Sequence, residues 1–199
     1  MKPSERLRSS GDYVEWLRLS VHEREIPATD RLRAAGACIA VVQEHHHAIV
    51  LLIQQRLYAA AFALLRVAFE AYVRGQWLLL CAKDSEVRRF GKGWEPPRIA
   101  QLIEALEKKP AFAEQVLSGL RRQHWKAMCA YTHTGGLQIQ RWNTSDAIEP
   151  NYDPKEVDEV LFFAEWIASL SVIAFATMVS DDQLACSVLE EFKARTFEA

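Results

Sequence analysis

The sequence lacks the short motifs that identify several large enzyme classes. It contains no G-x-x-x-x-G-K-[ST] phosphate loop, no G-x-G-x-x-G fingerprint, no G-x-S-x-G elbow and no H-E-x-x-H zinc motif. Nothing in it therefore argues for nucleotide hydrolysis, a Rossmann cofactor, a serine hydrolase or a zinc protease. We expect the protein to use no cofactor and no metal.

Cysteine is scarce, and its spacing excludes two further classes. The residues Cys38, Cys81, Cys129 and Cys186 lie far apart, and no C-x-x-C pair exists. Cysteine-bound zinc and a disulfide framework are therefore not indicated, and the thiols are interpreted as small buried apolar groups in a reducing cytosol. The charged opening MKPSERLRSSGDY lacks the apolar core of a signal peptide. We expect a cytoplasmic protein.

The chain also lacks a charge excess of either sign. Its formal net charge is −2 at pH 7, so any binding to nucleic acid has to rest on a local basic patch. Half of the residues are apolar, with 50% in the hydrophobic set, which is enough for a core without disulfides or metals. We expect one helical domain over 1–199, with an N-terminal helix in 1–28, a core bundle in 29–180 and a C-terminal helix in 181–199.

Strand patterns are almost absent, and apolar residues recur at helical spacing. The sequence therefore predicts an all-α protein with four main helices and shorter additions. Residues 1–10 are expected to fray, 91–97 to form a loop, and LQIQRW after Gly136 to form a short extended piece. Because one helix from 30 to 82 would be about 80 Å long, a break is expected near 55–57. The predicted helices are 11–25, 30–55, 58–82, 85–90, 98–108, 112–131, 154–179 and 181–195.

One apolar run, 160–180, is about long enough to cross a bilayer. It contains Glu165 and many Ala and Ser residues, which suit close packing between helices. An acidic segment precedes it, and neither side has the basic flank of a membrane anchor. A buried central helix is the preferred interpretation, and a membrane span is the alternative.

Three charges interrupt the apolar segment 58–82. Arg66, Glu70 and Arg74 are spaced by four residues, so each lies about 40° round the helix from the last and the three form one ridge. On an exposed face they would form ordinary intrahelical ion pairs. On a buried face they would need partners from other helices, as in a polar site. The sequence leaves both interpretations open.

A second group of polar residues follows the helix predicted at 112–131. His133 lies in YTHTGG, where the glycines stop the helix and the imidazole is placed for acid–base chemistry or for capping. Arg121, Arg122, His124 and Lys126 form a basic turn before it, which is either a phosphate-facing patch or a solvated surface.

The run EHHH, Glu44 to His47, does not predict a metal site. Adjacent helical residues point about 100° apart, and a di-iron bundle needs a second Glu-x-x-His pair, which the chain lacks. We expect His45 and His46 on the surface. Glu44 or His47 is expected inside the bundle, in contact with the arginine ridge.

The segment LLRVAFEAYVRGQWLL, 64–79, followed later by YTHTGG, resembles a group of uncharacterised bacterial all-helical proteins. In these, an L-R-x-x-F-E-x-Y helix is paired with a later histidine at a helix end, and the resemblance covers 30–179. That group is similar in layout to the HEPN superfamily of helical bundles from toxin–antitoxin, abortive-infection and RNA-processing systems. The HEPN ribonuclease motif is an Arg followed four to six residues later by His, and this sequence lacks it. His124 lies too near to Arg121 and Arg122 for that spacing, and His133 lies too far from them.

Two functions are expected from these patterns. The first is an interaction module of a bacterial stress or defence system that pairs with itself as a homodimer or with the product of a neighbouring gene. The second is a metal-independent, HEPN-like ribonuclease in which His133 works with Arg66, Glu70 and Arg74, with RNA as the partner and no membrane involved. Arg66, Glu70 and His133 within about 4 Å of one another beside an open pocket would favour the second, and a sealed, fully paired ridge the first.

Overall fold

The computed structural model describes residues 5–197 and, for side chains, residues 5–196. Within that part of the chain the regular secondary structure consists of helices, with no strand, which confirms the all-α prediction. Six helices have 16 or more residues, so the fold does not single out four main ones. The helices are α1 (Glu5–Val21), α2 (Asp30–Gln54), α3 (Tyr58–Leu80), α4 (Asp84–Phe90), α5 (Ile99–Leu106), α6 (Val116–Thr132), α7 (Gly136–Gln140), α8 (Pro154–Val179) and α9 (Asp182–Phe197).

Helices α2 and α3 form the hairpin that the sequence predicts. The Thr29 hydroxyl accepts a hydrogen bond from the Leu32 amide at 3.2 Å and caps α2. The chain reverses at Arg56, whose left-handed φ of 59° interrupts the helical path without a glycine. Gly75 lets the two helices approach closely, because a Cβ there would lie 3.1 Å from Cβ of Cys38. This hairpin fixes which side of α3 is left for other partners.

Helix α8 is the central helix of the fold. The Asp153 carboxylate accepts from the Lys155 amide at 2.8 Å and caps it, with Pro154 in the first turn. Helices α1, α2, α3 and α9 all pack against it. By length and composition, α8 and α2 are the two described helices that could cross a membrane, a test that core helices of soluble proteins also pass. In the most apolar window of each helix, 61% of the residues in α8 and 39% in α2 are buried.

The apolar side chains form two clusters. The larger one joins α2, α3, α5, α6 and α8. The smaller one joins α1, α8 and α9 around Tyr13, Leu17, Val172 and Val188. Both include residues of α8, so that helix holds the terminal pair α1 and α9 against the rest of the bundle.

Three local predictions are wrong. Residues 137–140 of the predicted extended piece belong to the short helix α7, and after that helix a β-bridge joins Asn143 and Ile148. Helix α1 already runs from Glu5, so the part of 1–10 that is described is not frayed. Helix α6 begins at Val116 rather than at 112, because Pro110–Phe112 form a 3-10 turn and Gln115 has a left-handed φ of 54°.

Candidate functional site

The ridge on α3 is real and half-buried. Glu70 lies between its two arginines: Arg66 Nε donates to Oε1 at 2.8 Å and Arg74 Nη2 lies 2.9 Å from Oε2. The side chains of Arg66, Glu70 and Arg74 are 21%, 12% and 32% exposed. The ridge is therefore neither sealed in the core nor freely solvated. Both arginines reach solvent, while the carboxylate that holds them is largely covered.

The C-terminal end of α6 is fixed against the beginning of α3. The rings of Phe62 and Tyr131 pack edge to face with centroids 5.0 Å apart. The Thr132 hydroxyl lies 3.2 Å from the Ala63 carbonyl oxygen and 2.9 Å from that of Met128. These contacts bring the residue after α6 to the level of Arg66.

That residue is His133, and it meets the ridge. Its Nε2 lies 2.5 Å from Nη1 of Arg66. A guanidinium can only donate, so Nε2 accepts this hydrogen bond and the imidazole carries its proton on Nδ1. Arg66 thus connects a carboxylate on its own helix with an imidazole on another. The site residues proposed from the sequence, Arg66, Glu70, Arg74 and His133, form one connected cluster on the surface.

The turn after α6 holds His133 in place, although not through a left-handed glycine. Thr134 takes the left-handed conformation, with φ of 53°, and the Gly135 amide donates to the Ala130 carbonyl at 2.7 Å. Gly135 is needed for a different reason, since a Cβ on it would lie 3.0 Å from the Cα of Ala130. The glycine therefore allows a close backbone approach, and the threonine supplies the turn.

Trp125 belongs to the cluster and was not predicted. The guanidinium carbon of Arg66 lies 4.8 Å from the centre of its indole ring, and that of Arg121 lies 5.4 Å from it. Contacts of this kind stabilise an arginine by about 0.5–1 kcal/mol at exposed sites. Trp125 lies on the side of α6 that packs against the larger core cluster. Spacing alone does not show that this face meets an arginine.

The four residues of the basic turn on α6 do not lie together in the structure. Arg121 points into the cluster, and its Nε is buried without a hydrogen-bond partner among the described residues. Arg122 and Lys126 are exposed, and the ring of His124 packs near Phe163, with centroids 6.2 Å apart. Only one cation of the predicted basic patch therefore joins the site.

The prediction for EHHH chose the wrong residues for the buried side of α2. His46 is the buried histidine, at 1% exposure, while Glu44 and His47 are exposed and do not meet the ridge. The inner face of α2 at this level is set by α8 and α1. Gln43 Nε2 donates to the Ala168 carbonyl of α8 at 2.9 Å, and the ring of Tyr13 packs against His46. Burial lowers the pKa of His46 to about 3, with smaller contributions from His47 and two arginines.

A second charged cluster is centred on the buried carboxylate of Glu165. Glu165, 3% exposed, accepts two hydrogen bonds from Arg6 at 2.9 Å each, and Arg195 lies 3.7 Å away. The Tyr13 hydroxyl pairs with that of Ser169 at 2.7 Å. Burial raises the pKa of Tyr13 to about 12. This cluster ties α1 and α9 to α8, whereas the α3–α6 cluster places an exposed imidazole beside Arg66, so the α3–α6 cluster is the candidate site.

No curated protein and no solved structure matches the chain. Residues 39–196 match a family described only as a family of unknown function. The matched region contains the whole α3–α6 cluster and Glu165, but it leaves out α1 and the first part of α2. Since the match covers well over half of the chain, the protein belongs to the DUF6988 family, a family of unknown function.

Proposed function

We propose that the protein is a metal-independent ribonuclease of a bacterial stress or defence system and that the α3–α6 cluster is its active site. One observation carries the proposal: Arg66 contacts Glu70 and His133 at the same time, on a surface that solvent reaches. An imidazole can act as general acid and base in phosphodiester cleavage without a metal, and a cation held by a carboxylate can stabilise the charge on the phosphate.

The two arginines of the ridge bind the scissile phosphate. Glu70 fixes their guanidinium groups and leaves other N–H donors of each directed to solvent, as their exposure indicates. Arginine suits this task because its planar donors match the oxygens of a phosphate. The indole ring of Trp125 packs against the Arg66 guanidinium and keeps it beside the ridge before the substrate arrives.

His133 moves the proton. When Arg66 turns to the phosphate, Nε2 of His133 is released and takes the proton of the ribose 2′-hydroxyl. The 2′ oxygen bonds to phosphorus, the bond from phosphorus to the 5′ oxygen breaks, and His133 returns the proton to that oxygen. The products are a 2′,3′-cyclic phosphate and a 5′-hydroxyl end. Water is not consumed in this step, so no activated water is needed.

The resemblance to HEPN-like helical proteins supports the helical fold more than the activity, because the ribonuclease motif of that superfamily is missing here. In this proposal the arginine and histidine come from two helices, α3 and the end of α6, and not from one Arg-x4–6-His motif. The proposal places the protein in the cytoplasm, where RNA is its substrate.

The test is cleavage of a labelled single-stranded RNA by the purified protein in EDTA. We expect cyclic-phosphate products, and a loss of about 100-fold or more for His133→Ala or Arg66→Ala. His47→Ala is the matched control, because that histidine is exposed on α2 away from the cluster and its loss leaves activity unchanged. Absence of cleavage by the wild type, or full activity of His133→Ala, rejects the proposal.

The second candidate function is an interaction module, and a specific surface favours it. Ile139, Trp142 and Ile148, in and after α7, are 45%, 36% and 82% exposed. Exposed apolar and aromatic residues are typical of protein interfaces. A homodimer in sedimentation analysis, together with no RNA cleavage, would favour this function over the first.

A further inference from the structure

A cleft of about 450 Å³ lies on another side of the molecule, between α3, α8 and the segment 110–117. Its α3 wall contains Tyr72, Gln76 and Leu79, which are not ridge positions. The cleft is therefore separate from the α3–α6 cluster, and ligand binding in it is independent of the proposed ribonuclease activity. Its volume falls within the range of ordinary small-molecule sites, about 300–1,000 Å³.

The late beginning of α6 forms the cleft. Pro110–Phe112 make a 3-10 turn, and the left-handed Gln115 then redirects the chain, so that α6 begins only at Val116. The Glu107 carboxylate accepts from the Ser118 amide at 2.8 Å and secures the first turn of α6 to the end of α5. As a result, the segment 110–116 stands as a wall beside the grooved face between α3 and α8.

The interior of the cleft is apolar, with one polar point. Leu79, Leu80, Leu170 and Ile173 line it, and all four are half-buried. At its base Gln76, which is buried, hydrogen-bonds the hydroxyl of Tyr72, whose pKa burial raises. A Gln side chain has both a donor and an acceptor, so it can offer one further hydrogen bond to a ligand after pairing with Tyr72.

The only charge among the described residues that line the cleft is negative. Glu114, at the exposed rim, is the one charged residue of the lining, and no lysine or arginine takes part in it. The aromatic rings of Phe112 and Trp166 are also in the lining, and such rings attract cations. An anionic head group would meet the carboxylate without a counterion, whereas an ammonium group would be stabilised.

We infer that this cleft binds a small amine with a compact apolar body. The body lies between Leu80 and Leu170, and the ammonium group lies at the rim beside Glu114. The apolar lining provides most of the affinity, and the rim selects the charge.

Three naphthyl probes that differ in charge test the inference, measured by calorimetry on the full chain. They are 1-naphthylmethylamine, 1-naphthalenemethanol and 1-naphthaleneacetate. We expect the amine to bind about two- to fivefold more tightly than the alcohol, the value of a partly exposed charge contact, and the acetate to bind most weakly. Equal affinities for amine and acetate, or no binding of the amine at millimolar concentration, would overturn the inference.

Two variants locate the binding. Leu170→Trp fills the cleft and should lower the affinity for the amine and the alcohol at least about tenfold. Leu189→Trp, at an exposed apolar position of α9 outside the cleft, should leave it unchanged. If the two variants behave alike, the probe binds elsewhere.

Glu114→Gln tests the charge without risk to the fold, because the residue is exposed. It should remove the preference for the amine over the alcohol and leave the affinity for the alcohol unchanged. Glu190→Gln on α9 is the control and should keep the preference. A preference that persists in Glu114→Gln assigns the selection to another group and contradicts the inference.

Discussion

At the scale of single residues, the buried imidazole of His46 is a costly group outside the candidate site. His46 is buried, and neither of its ring nitrogens has a hydrogen-bond partner among the described residues. An imidazole in this position stays neutral, because its charged form would lose its hydration with no counterion to replace it. The two nearest arginines oppose the charge further. The consequence is a dependence of stability on pH.

We predict that acid destabilises the protein through His46. Below about pH 6.5 the unfolded chain binds a proton at this residue, whereas the folded protein does so only near pH 3. The free energy of unfolding therefore decreases as the pH is lowered through this window, by about 2 kcal/mol between pH 7 and pH 5. Urea unfolding at both pH values measures it.

In His46→Leu this part of the pH dependence should disappear. His22→Leu should retain it, because His22 is exposed. The assignment to His46 is wrong if the leucine variant loses as much stability between pH 7 and pH 5 as the wild type does.

At the scale of elements, the end of α6 decides whether the candidate site exists. The helix terminates in a left-handed threonine followed by a glycine pressed against Ala130. This turn sets the position of the His133 backbone, and the Thr132 hydroxyl ties the same turn to α3. The contact between His133 and Arg66 thus depends on backbone packing that neither side chain controls.

We predict that Gly135→Ala destabilises the protein and disturbs the site, while Gly136→Ala does not. A methyl group at 135 would lie 3.0 Å from the Cα of Ala130, so backbone must move, at a cost of about 1–3 kcal/mol. At 136 a Cβ meets nothing within 4 Å, and alanine should be neutral or slightly stabilising in the first turn of α7. Thermal unfolding of the pair measures the difference. Equal stability of the two variants would contradict this account of the turn.

Predictions from sequence succeeded where local chemistry determines the structure. The predicted helix starts at 30 and 154 are correct because the side chains of Thr29 and Asp153 cap the helices there. The four-residue spacing of the α3 ridge likewise makes its ion pairs local. They failed where the position or contacts of a residue depend on another helix. His46 lies on the buried side of α2 because α1 and α8 cover that side. Trp125 belongs to the candidate site because it contacts Arg66 on another helix. The contact between Arg66 and His133 was proposed from the sequence, but its geometry depends on how α6 packs on α3.

At the scale of the whole molecule, the terminal helices are joined through the centre. Arg6 of α1 and Arg195 of α9 both approach Glu165 of α8, and Arg195 also lies over the ring of Tyr13, 4.4 Å from its centre. Arg195 Nη2 donates to the Ser9 carbonyl at 2.7 Å as well. One buried carboxylate therefore organises both ends of the chain.

We predict that Arg6→Ala destabilises the fold by about 3 kcal/mol, because it leaves Glu165 buried with only the more distant Arg195. The double variant Arg6→Met, Glu165→Met should cost less, since no charge is then left unpaired. Arg8→Ala, on the exposed side of α1, is the control and should change little. Chemical denaturation compares the three. A cost for Arg6→Ala no larger than that for Arg8→Ala would mean that the pair contributes nothing.

The pairing of Arg6 with Glu165 has a practical consequence for where an expressed fragment of the protein should begin. The region that matches DUF6988 begins inside α2, so a fragment cloned to residues 39–196 would carry Glu165 without Arg6 and would expose the surface that Tyr13 and Leu17 cover. Such a fragment would be poorly soluble for reasons unrelated to its activity. Expression should begin before α1, because the boundary of sequence similarity is not a boundary of folding.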